Sequence, residues 1–149
     1  MRALVQRVSE GGVEIIDQNY SMSISKGMVI LLGVKEGDSE EDVIFIADKC
    51  SNLRIFGDET GTMNLSLKDI NGEVLIISQF TLYGDARKGN RPSFTEAGKP
   101  ETAIPLYEKF IDRMKFNLGE EKVKNGIFGE MMLVKIMNDG PVTILVESK

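Results

Sequence analysis

The sequence predicts a β-rich α/β fold, with mixed sheets packed into a barrel-like, layered core and two helices on the outside. Three observations carry this. Most apolar runs are short, rich in Val, Ile and Leu, and bounded by glycine or turn residues, the pattern of strands. Only two stretches recur at helical spacing instead. A length of 149 residues, with 42% apolar and 28% charged side chains, suits one domain with a real core. No repeat, low-complexity tract or linker divides it, so residues 1–149 are expected to form that single domain.

Taken in order, "RALVQRV" and "VEIIDQ" flank Gly11-Gly12 and read as a strand pair turning at the glycines. "MVILLGV" (28–34) is continuously apolar, as a strand buried on both faces would be. The acidic stretch "KEGDSEED" (35–42) does not have EF-hand spacing; it reads as a solvated loop placing carboxylates at a helix N-terminus. Ser39 with Asp42 makes a capping-box-like start. Val43, Ile46, Ala47, Cys50 and Leu53 then recur at helical spacing, which makes Cys50 a core residue rather than a nucleophile. "GDETGTMN" (57–64) is turn-rich, and "EVLIISQFTL" (73–82) is strand-like. A second helix is expected over about 102–117, with Ala103, Leu106, Tyr107, Phe110, Ile111 and Met114 on one face and Pro105 near its first turn. "GIFGEMMLVKIM" and "VTILVES" close the chain as two strands joined by "NDG", a strong hairpin signal.

Composition excludes several kinds of chemistry. The chain has no histidine, which removes Ser-His-Asp and Cys-His machinery and any histidine-bearing zinc site. No metal site and no cofactor is expected. The single cysteine cannot form an intrachain disulfide, which fits a reducing cytoplasm. No run approaches the roughly 18–20 apolar residues of a membrane helix, and the N-terminus lacks the apolar core of a signal peptide. The net charge of −5 argues against broad electrostatic capture of nucleic acid, so any such contact should be local.

Three segments could carry chemistry. In "SQFTLYGD" (78–85), Ser78, Gln79 and Thr81 come at a strand end, where backbone N–H groups could bind a developing oxyanion; taken alone, an ordinary strand end is the preferred reading. In "ARKGNRPSF" (86–94), Arg87, Lys88 and Arg91 lie between Tyr83 and Phe94. Cations bind phosphates and aromatics stack on bases, although such clusters are usually solvated loops. In "MNDGPVTI" (137–144), Pro141 follows the turn directly. X-Pro is the one linkage where a cis peptide costs only about 0.5–1 kcal/mol, and the sequence leaves the isomer open.

Together "MRALVQRVS", "NLRIFGDETGTMN", "SQFTLYGD", "KGNRPSF", "LYEKF" and "NDGPVT" resemble the D-aminoacyl-tRNA deacylases (D-tyrosyl-tRNA deacylases), in order and over nearly the whole chain. "SQFT" matches the D-specific branch rather than the branch acting on mischarged threonine tRNA. Glu130, in "GIFGEMM", departs from the family's small residue there and bears on local packing or the cleft rim. The resemblance implies a cytoplasmic homodimer that hydrolyses the ester between a D-amino acid and the 3′-terminal ribose of tRNA. Glycine mischarged on alanine tRNA is an expected further substrate. It implies that Gly140-Pro141 of one subunit, as a Gly-cisPro segment, enters the other's pocket and excludes L side chains. Ser78, Gln79, Phe80 and Thr81 would line that pocket, and Arg7 would hold the Gly-Pro loop. N–H groups near Gln79 and Phe80 would form the oxyanion hole, with Thr81 lining the pocket first and a nucleophile second. Arg87, Lys88 and Arg91 would steer the tRNA acceptor end. Two other classes stay open: a non-catalytic dimer binding nucleic acid or protein, which the intact signatures disfavour, and a different esterase using Thr81.

Overall fold

The structure is a computed structural model and describes residues 1–149. In chain order its elements are β1 (Arg2–Ile15), β2 (Tyr20–Ile24), β3 (Gly27–Gly33), α1 (Glu40–Asn52), β4 (Phe56–Gly57), β5 (Met63–Leu65), β6 (Glu73–Ser78), α2 (Pro100–Leu118), β7 (Val123–Asn125) and β8 (Leu133–Glu147). Six strands make one mixed sheet. β1 runs antiparallel to β2, β3 and β8, whereas β3–β6 and β6–β7 are parallel. The Tyr20 hydroxyl of β2 donates to the Asn125 carbonyl of β7 at 2.6 Å, so the sheet nearly closes on itself. β4 and β5 form a separate hairpin.

Strand alternation builds the layers. Met28, Ile30 and Leu32 of β3, with Val74 and Ile76 of β6, face the helices and pack with Ile46, Cys50, Phe110 and Met114. Val29, Leu75 and Ile77 face the opposite way and meet Val8, Val13 and Ile24 inside the curved sheet. Both faces of β3 and β6 are therefore dry, which is why their sequences are continuously apolar rather than alternating.

The helices follow the expected periodicity. All six named apolar residues of α2 are buried, as are Val43, Ile46, Ala47 and Cys50 of α1, while Leu53 is half-buried at its C-terminus. Burial pushes the Cys50 thiol up to about 12, so it stays protonated and inert. α2 starts at Pro100, earlier than its apolar stripe, which leaves Pro105 in the second turn. No helix is long and apolar enough to cross a membrane.

At the start of α1, the Asp42 carboxylate accepts the Ser39 backbone N–H at 2.8 Å. Burial works against its charge, but hydrogen bonds from Ser39, Ser148 and Lys149 hold its pKa well below the ordinary 3.8. A carboxyl with a lowered folded pKa adds stability above the unfolded value, and that stability is lost as pH falls through the folded one. Asp42→Asn should therefore cost about 2 kcal/mol at pH 7. In urea melts the variant and the parent should converge as pH drops below 3.8; a gap that stays constant with pH would contradict this origin.

Two expected turns are absent. β1 runs straight through Gly11-Gly12, pairing with β8 on one side and with β3 and then β2 on the other. Gly11 is needed for close approach: a Cβ there would lie 2.9 Å from Val29 Cγ2. The chain reverses later, at Ile16–Gln18 and Asn19, whose φ of 49° is left-handed. Nor does "NDG" close a hairpin. β8 is one strand on both sides of it, antiparallel to β1 throughout. Its two halves do not pair with each other because they lie end to end along successive stretches of β1. The expected strand over 73–82 is also shorter, since β6 ends at Ser78 and Phe80–Tyr83 winds into a single 3-10 turn.

Candidate active site

The interruption in β8 is a local excursion. Thr143 pairs with Gln6 and Asn138 with Val8, so Asp139, Gly140, Pro141 and Val142 stand together opposite Arg7. Arg7 holds them: its Nε donates to the Asp139 carbonyl at 2.8 Å and its Nη1 to the Ile55 carbonyl at 2.7 Å. Asn138 closes the neck of the loop. Its Oδ1 accepts the Val142 N–H at 2.8 Å, and its Nδ2 donates to Thr143 Oγ1 at 3.1 Å. The Gly140–Pro141 peptide is cis and Gly140 has φ 145°, where side chains are rarely accommodated. Asp139, Gly140 and Pro141 are exposed. The result is an exposed loop tied down at both ends by Arg7 and Asn138.

The second half of the site lies at the end of β6. Ser78, Gln79 and Phe80 line a cleft of about 340 Å³ with Phe128, Glu130, Met131 and Met132. α2 fixes the far wall, because the buried Tyr107 hydroxyl lies 3.1 Å from the carbonyls of both Ile76 and Gly126. Phe80 is half in solvent and meets Phe94 edge-on, with ring centres 5.2 Å apart. Glu130 stands exposed on the rim. A larger groove of about 910 Å³ crosses residues 9–14 and 21–25. Its Glu10 and Glu73 carboxylates are engaged by Lys135 and by the Ser25 N–H, and it contains none of residues 78–81.

Local geometry separates the candidate roles. The Gln79 backbone N–H is already committed to the Leu32 carbonyl at 2.8 Å. Of the two expected oxyanion donors, this leaves Phe80. The Thr81 hydroxyl accepts from the Gln79 side-chain amide. An amide is no base, so this partner does not activate Thr81 as a nucleophile.

Arg87, Lys88 and Arg91 sit on a loop closed by paired backbone hydrogen bonds between Asp85 and Ser93, 2.8 and 2.9 Å. Arg87 forks onto Asp85 at 2.8 and 2.6 Å, and its side-chain hydrogen bonds lower the Asp85 pKa to about 2. That cation is neutralised in place. Lys88 and Arg91 are exposed and belong to no ion pair, so they carry the loop's available charge.

Within one chain the loop and the cleft are not brought together. None of the loop residues 139–142 lines the cleft. Sequence reading named residues 78–81, Gly140, Pro141 and Arg7; Ser78, Gln79 and Phe80 line the cleft, whereas Thr81, expected there too, does not, because the chain has already turned into the 3-10 segment. The same reading missed Asn138, Phe128, Met131 and Met132. Only the asparagine carried a local signal, as a residue apt to hydrogen-bond backbone a few positions on.

The profile of the D-Tyr-tRNA(Tyr) deacylase family matches residues 4–147. A D-aminoacyl-tRNA deacylase of Cytophaga hutchinsonii is 53% identical over 149 residues, covering 100% of this chain and 98% of that protein. A solved structure named c-Myc DNA Unwinding Element Binding Protein superposes with a TM-score of 0.93 at 38% identity, covering 100% of this chain and 99% of that one. A second, described as a probable eukaryotic D-amino acid tRNA deacylase, shares the fold with a TM-score of 0.86 at 17% identity and 98% coverage of each chain. With both signature segments standing at a cleft and at an exposed loop, the chain belongs to the D-Tyr-tRNA(Tyr) deacylase family.

Proposed function

We propose that the chain hydrolyses the ester joining a D-amino acid to the 3′-terminal ribose of tRNA, acting as a homodimer in the cytoplasm, where charged tRNA is used. The Gly140-Pro141 loop of one copy completes the cleft of the other. One observation carries this reading: each chain offers two half-sites, a backbone loop held at Asp139–Val142 and an open cleft at the end of β6, and no residue of the loop lines the cleft. A second copy supplies what each lacks. β8 supports such pairing, since it bonds only to β1 and leaves its outer edge free. It exposes Leu133 at 65%, Met137 at 48% and Leu145 at 51%. A long apolar edge invites a partner chain.

In the reaction, water attacks the acyl carbon, the bond to the ribose 3′-oxygen breaks, and that oxygen leaves with a proton. The products are the D-amino acid and tRNA with a free 3′-hydroxyl. The Phe80 N–H faces the developing oxyanion. With no histidine in the chain and Thr81 beside an amide, the ribose 2′-hydroxyl assists the water. Phe128, Met131 and Met132 give the cleft an apolar, aromatic wall of the kind unpaired bases stack on. The loop backbone fills the space an L side chain would need and ignores the D side chain. Glycine passes because it has no side chain to clash.

The direct test is deacylation of matched D- and L-tyrosyl-tRNA by the purified protein. The D ester should be cleaved and the L ester spared, while equal rates would overturn the reading. A non-catalytic nucleic-acid-binding dimer predicts no hydrolysis of either.

For the tRNA approach, Lys88→Ala with Arg91→Ala should raise KM for tRNA and reduce the slope of log affinity against log salt by about two, one per lost phosphate contact. Arg87→Ala should do less, its charge being held by Asp85. An unchanged slope in the double variant would remove this loop from the binding surface.

A further inference from the structure

Phe80 and Thr81 ride on a single 3-10 turn. At its ends the Leu82 N–H bonds to the Gln79 carbonyl at 3.3 Å and the Gly84 N–H to the Thr81 carbonyl at 2.9 Å. A turn this short does not hold its own shape, and its last carbonyls have no partner within it. The rest of the fold must fix it. One wall is Gly33 at the end of β3, where a Cβ would stand 3.2 Å from the Gln79 carbonyl oxygen, from Leu82 Cβ and from Tyr83 Cε2. The opposite constraint is Arg2. Its Nη1 donates to the Leu82 carbonyl at 2.9 Å, and its guanidinium lies 4.5 Å from the centre of the buried Tyr83 ring. Its Nε is fixed by Glu147 of β8 at 2.5 Å.

We infer that Arg2 is a positioning residue for deacylation, clamping the 80–83 turn through the Leu82 carbonyl and the Tyr83 ring so that Phe80, whose N–H has no partner among the loop hydrogen bonds, keeps its place in the cleft wall. The inference rests on the reading that residues 79–81 form the reaction site. Arg2 does not line the cleft, so its removal should slow the chemical step and leave binding alone. Small displacements of a preorganised donor are enough, since about 1 Å can cost a hundredfold in rate.

The experiment is steady-state deacylation of D-tyrosyl-tRNA by Arg2→Ala, Arg2→Lys, Glu147→Gln and Phe80→Pro. Arg2→Ala should lower kcat about tenfold with KM within about twofold of the parent, the signature of an interaction lost in the transition state alone. Arg2→Lys keeps a cation over the ring and a donor near the carbonyl, and should recover to within about threefold. Glu147→Gln, which leaves the Leu82 and Tyr83 contacts in place, should change kcat less than about twofold. A parental kcat in Arg2→Ala would overturn the inference, as would equal losses in all three Arg2 and Glu147 variants that track thermal stability. Phe80→Pro separates the two readings: if residues 79–81 are not the site it stays active, whereas if only the Arg2 inference fails it is inactive beside a fully active Arg2→Ala.

Discussion

Gly140→Ala should lower kcat/KM for D-tyrosyl-tRNA by about a hundredfold or more while the protein still folds. An alanine Cβ at this position would lie 2.8 Å from Val142 Cγ2, 2.9 Å from the Val142 nitrogen and 3.1 Å from Arg7 Nη2. None of these can yield easily. The Val142 nitrogen is held by Asn138 Oδ1 at 2.8 Å, and Arg7 is bonded to two carbonyls. A φ of 145° adds strain of its own for any residue with a side chain. The loop would have to shift. Because it is exposed, the cost to overall stability should stay near 1–3 kcal/mol, while the surface presented to the substrate is lost. On the proposed reading that surface has a demanding task, since a thousandfold preference for D over L requires about 4 kcal/mol. A backbone wall anchored at Asn138 and Arg7 can supply this by exclusion, where a mobile side chain would move aside. The check is kinetic assay of both esters alongside a thermal melt. A variant with parental kcat/KM would show that the loop does not shape the site.

Phe80→Pro should be comparably severe, and Phe80→Ala much milder. Proline deletes one N–H and is tolerated at the first residue of a helical turn. Gln79, at φ −144° and ψ 81°, already avoids the helical region that a following proline excludes. The substitution therefore removes the proposed oxyanion donor with little change of path. Loss of one such donor typically costs a hundred- to a thousandfold in kcat, or about 3–4 kcal/mol. Phe80→Ala keeps the N–H and loses the ring, with its edge contact to Phe94 and its part of the cleft wall. If alanine and proline were equally damaging, the ring rather than the N–H would be the working group.

What the sequence made legible divides along physical lines. Local signals served the helices well, because an apolar stripe and a cap are set within a few residues. They also served β3, whose unbroken apolar run reflects burial on both faces. They failed at Gly11-Gly12 and at "NDG", both strong turn signals. At each place a long strand already has β1 or β8 as a partner on both sides of the glycine, and pairing over the whole length outweighs local turn preference. Gly11 is there for the close approach of Val29, and Gly140 for the loop that stands opposite Arg7. The site shows the same division. Residues 78–81 and 140–141 form recognisable strings, whereas Arg2, Leu32 and Gly33 reach the 79–83 turn, and Phe128 the cleft, only through long-range contacts.

The most direct test of a site shared between two copies is complementation between Gly140→Ala and Phe80→Pro. Each variant alone should be nearly inactive, since every site in either homodimer lacks one half. Co-expressed with different tags, the two chains should form mixed dimers in which one site joins the intact cleft of the Gly140→Ala chain to the intact loop of its partner. With random pairing, half of the dimers are mixed and each carries one good site of two, so about a quarter of parental activity should return. Purified mixed dimers with no activity above that of the two variants assayed separately would contradict a loop and cleft contributed by different subunits.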